Sequence, residues 1–233
     1  GFIDLVIQSV IDPKDKPIQL TDGTSNNFQP DWSPDGSKLA FVTDRSGFYE
    51  IWVANLQDPV DRFRKVTGNP GSDYSSPVWS PDGQNLAFSS FFSSDRIFLV
   101  NPEKPEDEPV LIGSGTNPVW MPDGNGILAT ISLPNHTEIL AYSTTDQHLL
   151  VPPIPMTGNL HGYDWKSGNL TQGVKTWLSQ NTIAQPPSLW EINLDEEQSE
   201  DNRLSLVELD GVSSPQPSLS DAVDDSFNAL RAM

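Results

Sequence analysis

The chain has 233 residues, no cysteine, and 13 Lys+Arg against 32 Asp+Glu, for a formal charge of −19. That balance argues against nucleic-acid binding and against a polybasic membrane anchor, both of which draw on Lys and Arg, and the lack of cysteine excludes disulfides, thiolate nucleophiles and Cys-ligated metals. No apolar run reaches the ~18 residues needed to span a bilayer, while 16 Gly, 21 Pro, 7 Trp and 10 Phe describe many short strands broken by turns.

In chain order, the opening Gly1-Phe2-Ile3-Asp4-Leu5-Val6-Ile7 aligns with Gly47-Phe48-Tyr49-Glu50-Ile51-Trp52-Val53, and Pro17 to Asp22 aligns with Phe63 to Gly68. The sequence therefore starts in the middle of a repeat. Trp32-Ser33-Pro34-Asp35-Gly36 then recurs as Trp79-Ser80-Pro81-Asp82-Gly83 and Trp120-Met121-Pro122-Asp123-Gly124, with a decayed copy at Trp165-Lys166-Ser167-Gly168. The tryptophans are 47, 41 and 45 residues apart, and Pro30, Pro77 and Pro118 each stand two positions before one, with Tyr163 in that place in the fourth. After each turn comes an apolar run, at Leu39 to Val42, Leu86 to Phe88, Ile127 to Ile131 and Val174 to Leu178. A second follows at Ile51 to Val53, Ile97 to Val100, Ile139 to Tyr142 and Leu189 to Ile192. A third is clearest at Phe63 to Val66, Val110 to Ile112 and Leu204 to Leu209. Each unit reads as four strands, a to d, with the tryptophan on strand a.

Pro presets the first turn dihedral, Asp bonds its own backbone, and Gly supplies the positive φ of a tight reversal. Strand b is apolar at consecutive positions, as in Leu39-Ala40-Phe41-Val42, the pattern of a strand covered on both faces. One four-stranded sheet cannot cover both its own faces, but neighbouring copies arranged radially can, so the expected fold is an all-β propeller of four-stranded antiparallel blades. Five blades are expected, near residues 28–68, 75–115, 116–157 and 160–212, with a fifth shared between 1–22 and 213–220 at the two ends of a 1–220 domain. Six blades in a longer parent protein are the alternative. Ser213-Ser214-Pro215 echoes the lead-in Ser75-Ser76-Pro77 to strand a, but no strand b follows it. Residues 221–233 read instead as a short C-terminal helix, with Ala222, Phe227 and Leu230 on one face.

These repeats resemble the TolB-type propeller repeat, a WD-repeat-like family whose Trp-Ser-Pro-Asp-Gly turn runs into an apolar strand and an Asp-Arg-x-Gly loop. The loop is present as Asp44-Arg45-Ser46-Gly47 and in part as Asp95-Arg96. The resemblance covers about residues 1–220 and implies a bacterial, extracytoplasmic binding propeller, placed in the periplasm, at the cell surface or secreted. It implies no reaction, because propeller repeats are architectural.

In a propeller the d–a and b–c loops crowd one rim of the central channel. Phe28, Ser75, Thr116 and His161, two residues before the Pro or Tyr163, are expected at that mouth, with Tyr74 beside Ser75. The alternative is that they only fill the channel. Phe91 and Phe92 lie in a b–c loop, where neighbouring side chains of an extended segment alternate faces, so one would be exposed as an interface anchor. Asp35, Asp82 and Asp123 sit on equivalent turns, and turn formation accounts for them. Asp44 and Arg45 are expected to form a salt bridge between adjacent blades. The acidic runs at 103–108 and 195–201 fall in c–d loops as solvated charge, with calcium capture a minor alternative. His136, His148 and His161 lack metal-ligand spacing. No Gly-x-Ser-x-Gly elbow occurs, and Gly124-Asn125-Gly126-Ile127-Leu128-Ala129 leads into a strand, which removes its phosphate-binding logic. The expected role is non-catalytic recognition of a protein or peptide (a basic one would suit the charge) or a glycan, by a monomer without a metal or cofactor. The alternative is an enzyme-associated propeller, a peptidase gating domain or a lyase, with His161 and Asp164 as the candidates near the channel.

Overall fold

In the computed structural model of the chain, the described residues are 1–156 other than 13, 69–72, 91–94 and 105, followed by the backbone of strands 159–166, 174–182, 185–194 and 206–208. A two-stranded sheet comes first, β1 (Val6–Ile7) with β2 (Ile18–Gln19). Four sheets of four antiparallel strands follow, each a simple meander. The first contains β3 (Asn27–Trp32), β4 (Lys38–Thr43), β5 (Glu50–Asn55) and β6 (Phe63–Lys65). The second contains β7 (Tyr74–Trp79), β8 (Leu86–Ser90), β9 (Arg96–Val100) and β10 (Val110–Ser114). The third contains β11 (Thr116–Trp120), β12 (Gly126–Ser132), β13 (Thr137–Ser143) and β14 (Ile154–Met156). The fourth contains β15 (Asn159–Lys166), β16 (Val174–Thr182), β17 (Gln185–Leu194) and β18 (Leu206–Glu208).

The burial pattern explains the continuous apolar runs. On β4, Ala40 and Val42 join Ile51, Val53 and Val66 against Tyr74, Trp79, Leu86, Phe88 and Val100 of the next sheet. Leu39 and Phe41, one residue out of phase, face the other way, onto Leu5 and Leu20 of the two-stranded sheet. Alternation along a strand thus serves two interfaces at once. The same arrangement recurs between Ala87, Ile97 and Ile112 and the Trp120, Ile127, Ala129, Leu140 and Tyr142 side of the third sheet. The first strands of successive sheets, β3, β7, β11 and β15, contact one another in turn, so they form the inner edge around an axis.

Equivalent hydrogen bonds confirm the register read for the opening residues. Leu20 N donates to Leu5 O at 2.9 Å as Val66 N does to Ile51 O at 2.9 Å. Leu5 N reaches Thr21 Oγ1 at 3.0 Å as Ile51 N reaches Thr67 Oγ1 at 3.0 Å. Asn27 N donates to Ile3 O at 2.8 Å as Tyr74 N does to Tyr49 O at 2.8 Å. β1 and β2 are therefore the c and d strands of a half-blade.

The Ser-Pro-Asp-Gly turns are held by their own atoms. Ser33 Oγ donates to Asp35 Oδ1 at 2.6 Å and Ser80 Oγ to Asp82 Oδ1 at 2.6 Å, while Gly36 and Gly83 adopt φ of 69° and 70°. Between the first two sheets, Glu103 accepts from Lys38 Nζ at 2.5 Å and Arg64 Nη2 at 3.1 Å. The expected interblade bridge of Asp44 and Arg45 is corrected. Asp44 instead accepts from Asn26 N and Nδ2, both at 2.8 Å, within its own blade. Arg45 lies over the rings of Phe41, Trp52 and Phe63, 5.5, 4.8 and 4.7 Å from their centroids, where flat guanidinium stacking outcompetes a solvated ion pair. The expected helix at 221–233 and the 213–220 part of the shared blade lie outside the described residues.

Candidate functional site

The d–a and b–c loops meet at one end of the sheets. Asn26 binds Asp44 as above, and Tyr49 N, just after the b–c loop, donates to Asp73 Oδ1 of the next d–a loop at 2.8 Å. At this end each of the four described inner strands is irregular. Pairing slips between Phe28 and Asp31, Ser75 and Val78, Thr116 and Val119, and Leu160 and Gly162. In the first three slips the residue before the proline is left-handed: Gln29 at φ 50°, Ser76 at 52° and Asn117 at 53°. Non-glycine residues seldom adopt that conformation. Three copies at one repeat position make it a built feature.

These bulged residues are joined across the blades. Ser76 N donates to Gln29 Oε1 at 2.9 Å, and Ser76 Oγ donates to Asn117 Oδ1 at 3.2 Å. Asn117 Nδ2 reaches Thr116 Oγ1 at 3.4 Å. Gln29 and Asn117 are exposed and Ser76 is half-buried. The result is an amide and hydroxyl chain spanning three consecutive inner strands at the mouth. Gly162 holds the corresponding place on β15.

The residues expected from the sequence stand one position earlier, and most turn toward their own sheet. Phe28 is half-buried, edge-on to Tyr49 at 5.2 Å. Ser75 Oγ lies 3.0 Å from Ser89 Oγ on the neighbouring strand. Thr116 Oγ1 donates to Thr130 O at 3.4 Å. Tyr74 is corrected from a mouth residue to a core residue: it is 5% exposed and packs edge-on against Phe88 at 5.2 Å, because strand alternation points it between the blades. His161 falls on β15, where the backbone alone is described, and Phe91 and Phe92 lie outside the described residues. Gln29, Ser76 and Asn117 were not among the residues expected at the mouth. A usable signal was present in the Asn117 and Gly162 pair, since Asn and Gly are the residue types that tolerate positive φ.

Below the mouth, Asp31 Oδ2 accepts from Trp79 N at 2.7 Å and links two inner strands. Burial pushes its carboxyl above the usual range, against the lowering effect of that backbone hydrogen bond. At the opposite end, hydrogen bonds from Ser33, then from Ser37, hold Asp35 down at about 2. The Ser80 hydroxyl and the Gln84 N–H lower Asp82 in the same way. The shared turn geometry accounts for these carboxylates. Between the second and third sheets at that end lies an open groove of about 750 Å³, lined by Asp82, Asp107, Glu108, Asp123 and Trp120 among others, with no Lys or Arg. Among the described residues no three His, Asp or Glu side chains converge as metal ligands. His136 pairs with Glu138 at 3.0 Å and His148 with Asp146 at 2.6 Å.

Repeated four-stranded sheets, inner strands around an axis and loops gathered at one mouth define a β-propeller. The chain belongs to the TolB β-propeller domain family, whose model matches residues 5–151. No curated protein matches it. Among solved structures it is similar to TolB from Acinetobacter baumannii, at 16% identity and a TM-score of 0.63 over 88% of this chain and 48% of that one. It is also similar to an oligogalacturonate lyase from Vibrio parahaemolyticus, at 16% identity and a TM-score of 0.60, covering 83% of this chain and 59% of that one. An acylaminoacyl peptidase from Pyrococcus horikoshii matches at 14% identity and a TM-score of 0.51, over 78% of this chain and 32% of that one. The chain thus spans about half the length of the Acinetobacter protein and less than two thirds of the lyase. At these identities the likeness establishes the fold.

Proposed function

We propose that the chain is a recognition propeller of the bacterial cell envelope, which grips a protein, peptide or glycan at its loop-rich mouth and carries out no reaction. The observation that carries this reading is the linked set Gln29, Ser76 and Asn117. Left-handed backbone at non-glycine residues costs on the order of 1–3 kcal/mol each and persists where the surroundings over-determine it, which is characteristic of sites. The bulge turns an amide or hydroxyl out of each of these three inner strands, and such groups recognise backbone amides or sugar hydroxyls through both donors and acceptors. A formal charge of −19 steers a basic partner toward the domain at low salt.

The test compares pull-downs from native cell envelopes with three baits: the wild-type chain, Asn117→Arg at the mouth, and Asn125→Arg on an exposed turn at the far end. A partner kept by wild type and Asn125→Arg but lost by Asn117→Arg supports the reading. Retention by Asn117→Arg with loss by Asn125→Arg contradicts it and moves the site to the opposite end.

A further inference from the structure

The groove at the end away from the mouth has a counterpart one interface earlier, and the difference between the two explains why it is open. Between the first and second sheets, Lys38 and Arg64 of the first reach across to Glu103 in the c–d loop of the second. The pairing registers give the equivalent positions one blade on. Lys38 precedes Leu39 as Asn85 precedes Leu86, and Arg64 lies opposite Val53 as Val110 lies opposite Leu99. Glu103 N donates to Asn101 Oδ1 at 2.8 Å as Thr145 N donates to Ser143 Oγ at 3.3 Å, so Thr145 stands where Glu103 would. Asn85, Val110 and Thr145 carry no charge, and no ion bridge crosses this second interface. The slot between the second and third sheets stays open at about 750 Å³, within the ~300–1,000 Å³ of small-ligand sites.

Two chemistries line it. Leu99, Val110 and Trp120 form an apolar wall, with Val110 52% exposed. Asp82 and Asp123 stand on a–b turns at the inner end, next to the axis, and Asp107 and Glu108 stand just before strand d at the outer end. The two ends are two to three strand spacings apart, about 10–14 Å. None of the four carboxylates has an ion-pair partner among the described residues. A cleft of one charge sign with apolar walls focuses its field and attracts the opposite charge.

We propose that the groove binds a linear aliphatic polyamine. Its terminal ammonium groups meet the carboxylates at the two ends, taking the part that Lys38 and Arg64 play one interface earlier. Its methylenes lie along the apolar wall, as lysine stems lie along apolar surface with their charged heads free. Length selects the ligand, because a diamine too short to reach both ends leaves one carboxylate pair unanswered. The site is at the opposite end from the mouth and does not depend on the role proposed for it.

The probe is spermidine, titrated calorimetrically into the intact chain at physiological salt, where diffuse attraction to a charge of −19 is screened. Putrescine tests the length, and a capped Lys-Ala-Lys peptide tests whether the cation belongs to a protein. Three variants locate the site. Asp107→Asn/Glu108→Gln removes the outer pair, and Glu106→Gln/Asp61→Asn removes the same charge from exposed loop positions outside the groove. Asn85→Lys/Val110→Arg supplies cations from the chain itself. The expected result is saturable binding of one spermidine, weakened at least ten-fold by the first and third variants and unchanged by the second, with putrescine at least ten-fold weaker. Absence of saturable binding to the wild-type chain overturns the proposal. An equal loss in the first two variants also overturns it, since that is the mark of diffuse counterion attraction. Tighter binding of the peptide than of spermidine overturns it as well and makes the groove a docking site for a basic loop.

Discussion

The three repeat tryptophans provide a graded test of how the sheets hold one another, because the same motif residue occupies three different environments. Replacing a fully buried Trp with Ala costs ~3–5 kcal/mol. Trp120 is 9% exposed, and its Nε1 donates to Val78 O of the preceding inner strand at 3.1 Å, so Trp120→Ala also strands a carbonyl and belongs at the top of that range. Trp79 is equally buried, but its Nε1 has no partner, so truncation also removes an unpaired donor and returns about 1 kcal/mol. That places Trp79→Ala near ~3 kcal/mol. Trp32 already exposes 46% of its surface, and losing the remaining contact costs ~1–1.5 kcal/mol. The assay is urea unfolding followed by far-ultraviolet circular dichroism, which does not depend on the indoles being removed. Equal costs for Trp32→Ala and Trp79→Ala, or a Trp79→Ala cost below about 1 kcal/mol, would refute the reasoning.

Three further outcomes are expected. A Cβ on Gly113 would sit 2.3 Å from Tyr142 Cζ, so Gly113→Ala should destabilise by ~1–3 kcal/mol through overpacking, and less in a Tyr142→Leu background; equal costs in both backgrounds, measured by thermal melts, would contradict this. The Asp35 carboxyl is lowered from 3.8 to about 2, so its contribution is present above the higher value and lost as the pH falls through the lower one. Asp35→Asn should flatten the acid limb of Tm against pH in that window and leave Tm below it unchanged. Asp31 runs the opposite way: its raised carboxyl favours the fold below 3.8 and loses that contribution as the pH rises through its folded value, so Asp31→Asn should remove the decline.

Much of the architecture was legible because it rests on local chemistry. Trp32, Trp79 and Trp120 mark the inner strands, and the Ser-Pro-Asp-Gly turns use short-range bonds that need no tertiary partner. The half-blade was readable because Leu5 and Leu20 sit in register with Ile51 and Val66. The mouth was legible only to within one residue. Periodicity places Phe28, Ser75 and Thr116 near the rim, but the bulge that follows decides which side chain leaves the sheet, and a positive φ at Gln29 or Ser76 has no propensity signature. Tyr74 shows the same gap from the other side, since neither its position beside Ser75 nor its residue type tells which face of the strand it takes. The setting of Arg45 is hidden from the sequence, which displays its charged neighbour Asp44, whereas Phe41, Trp52 and Phe63 gather around it only after three strands have paired.

The recognition role is tested most directly by hydrogen exchange on the chain bound to the protein retained in the pull-down. The account predicts slowed exchange at Ser76 and Asn117 and in the loops beside them, with the turns at Gly36, Gly83 and Gly124 unchanged. Slowed exchange at those turns, with Ser76 and Asn117 unaffected, would contradict it.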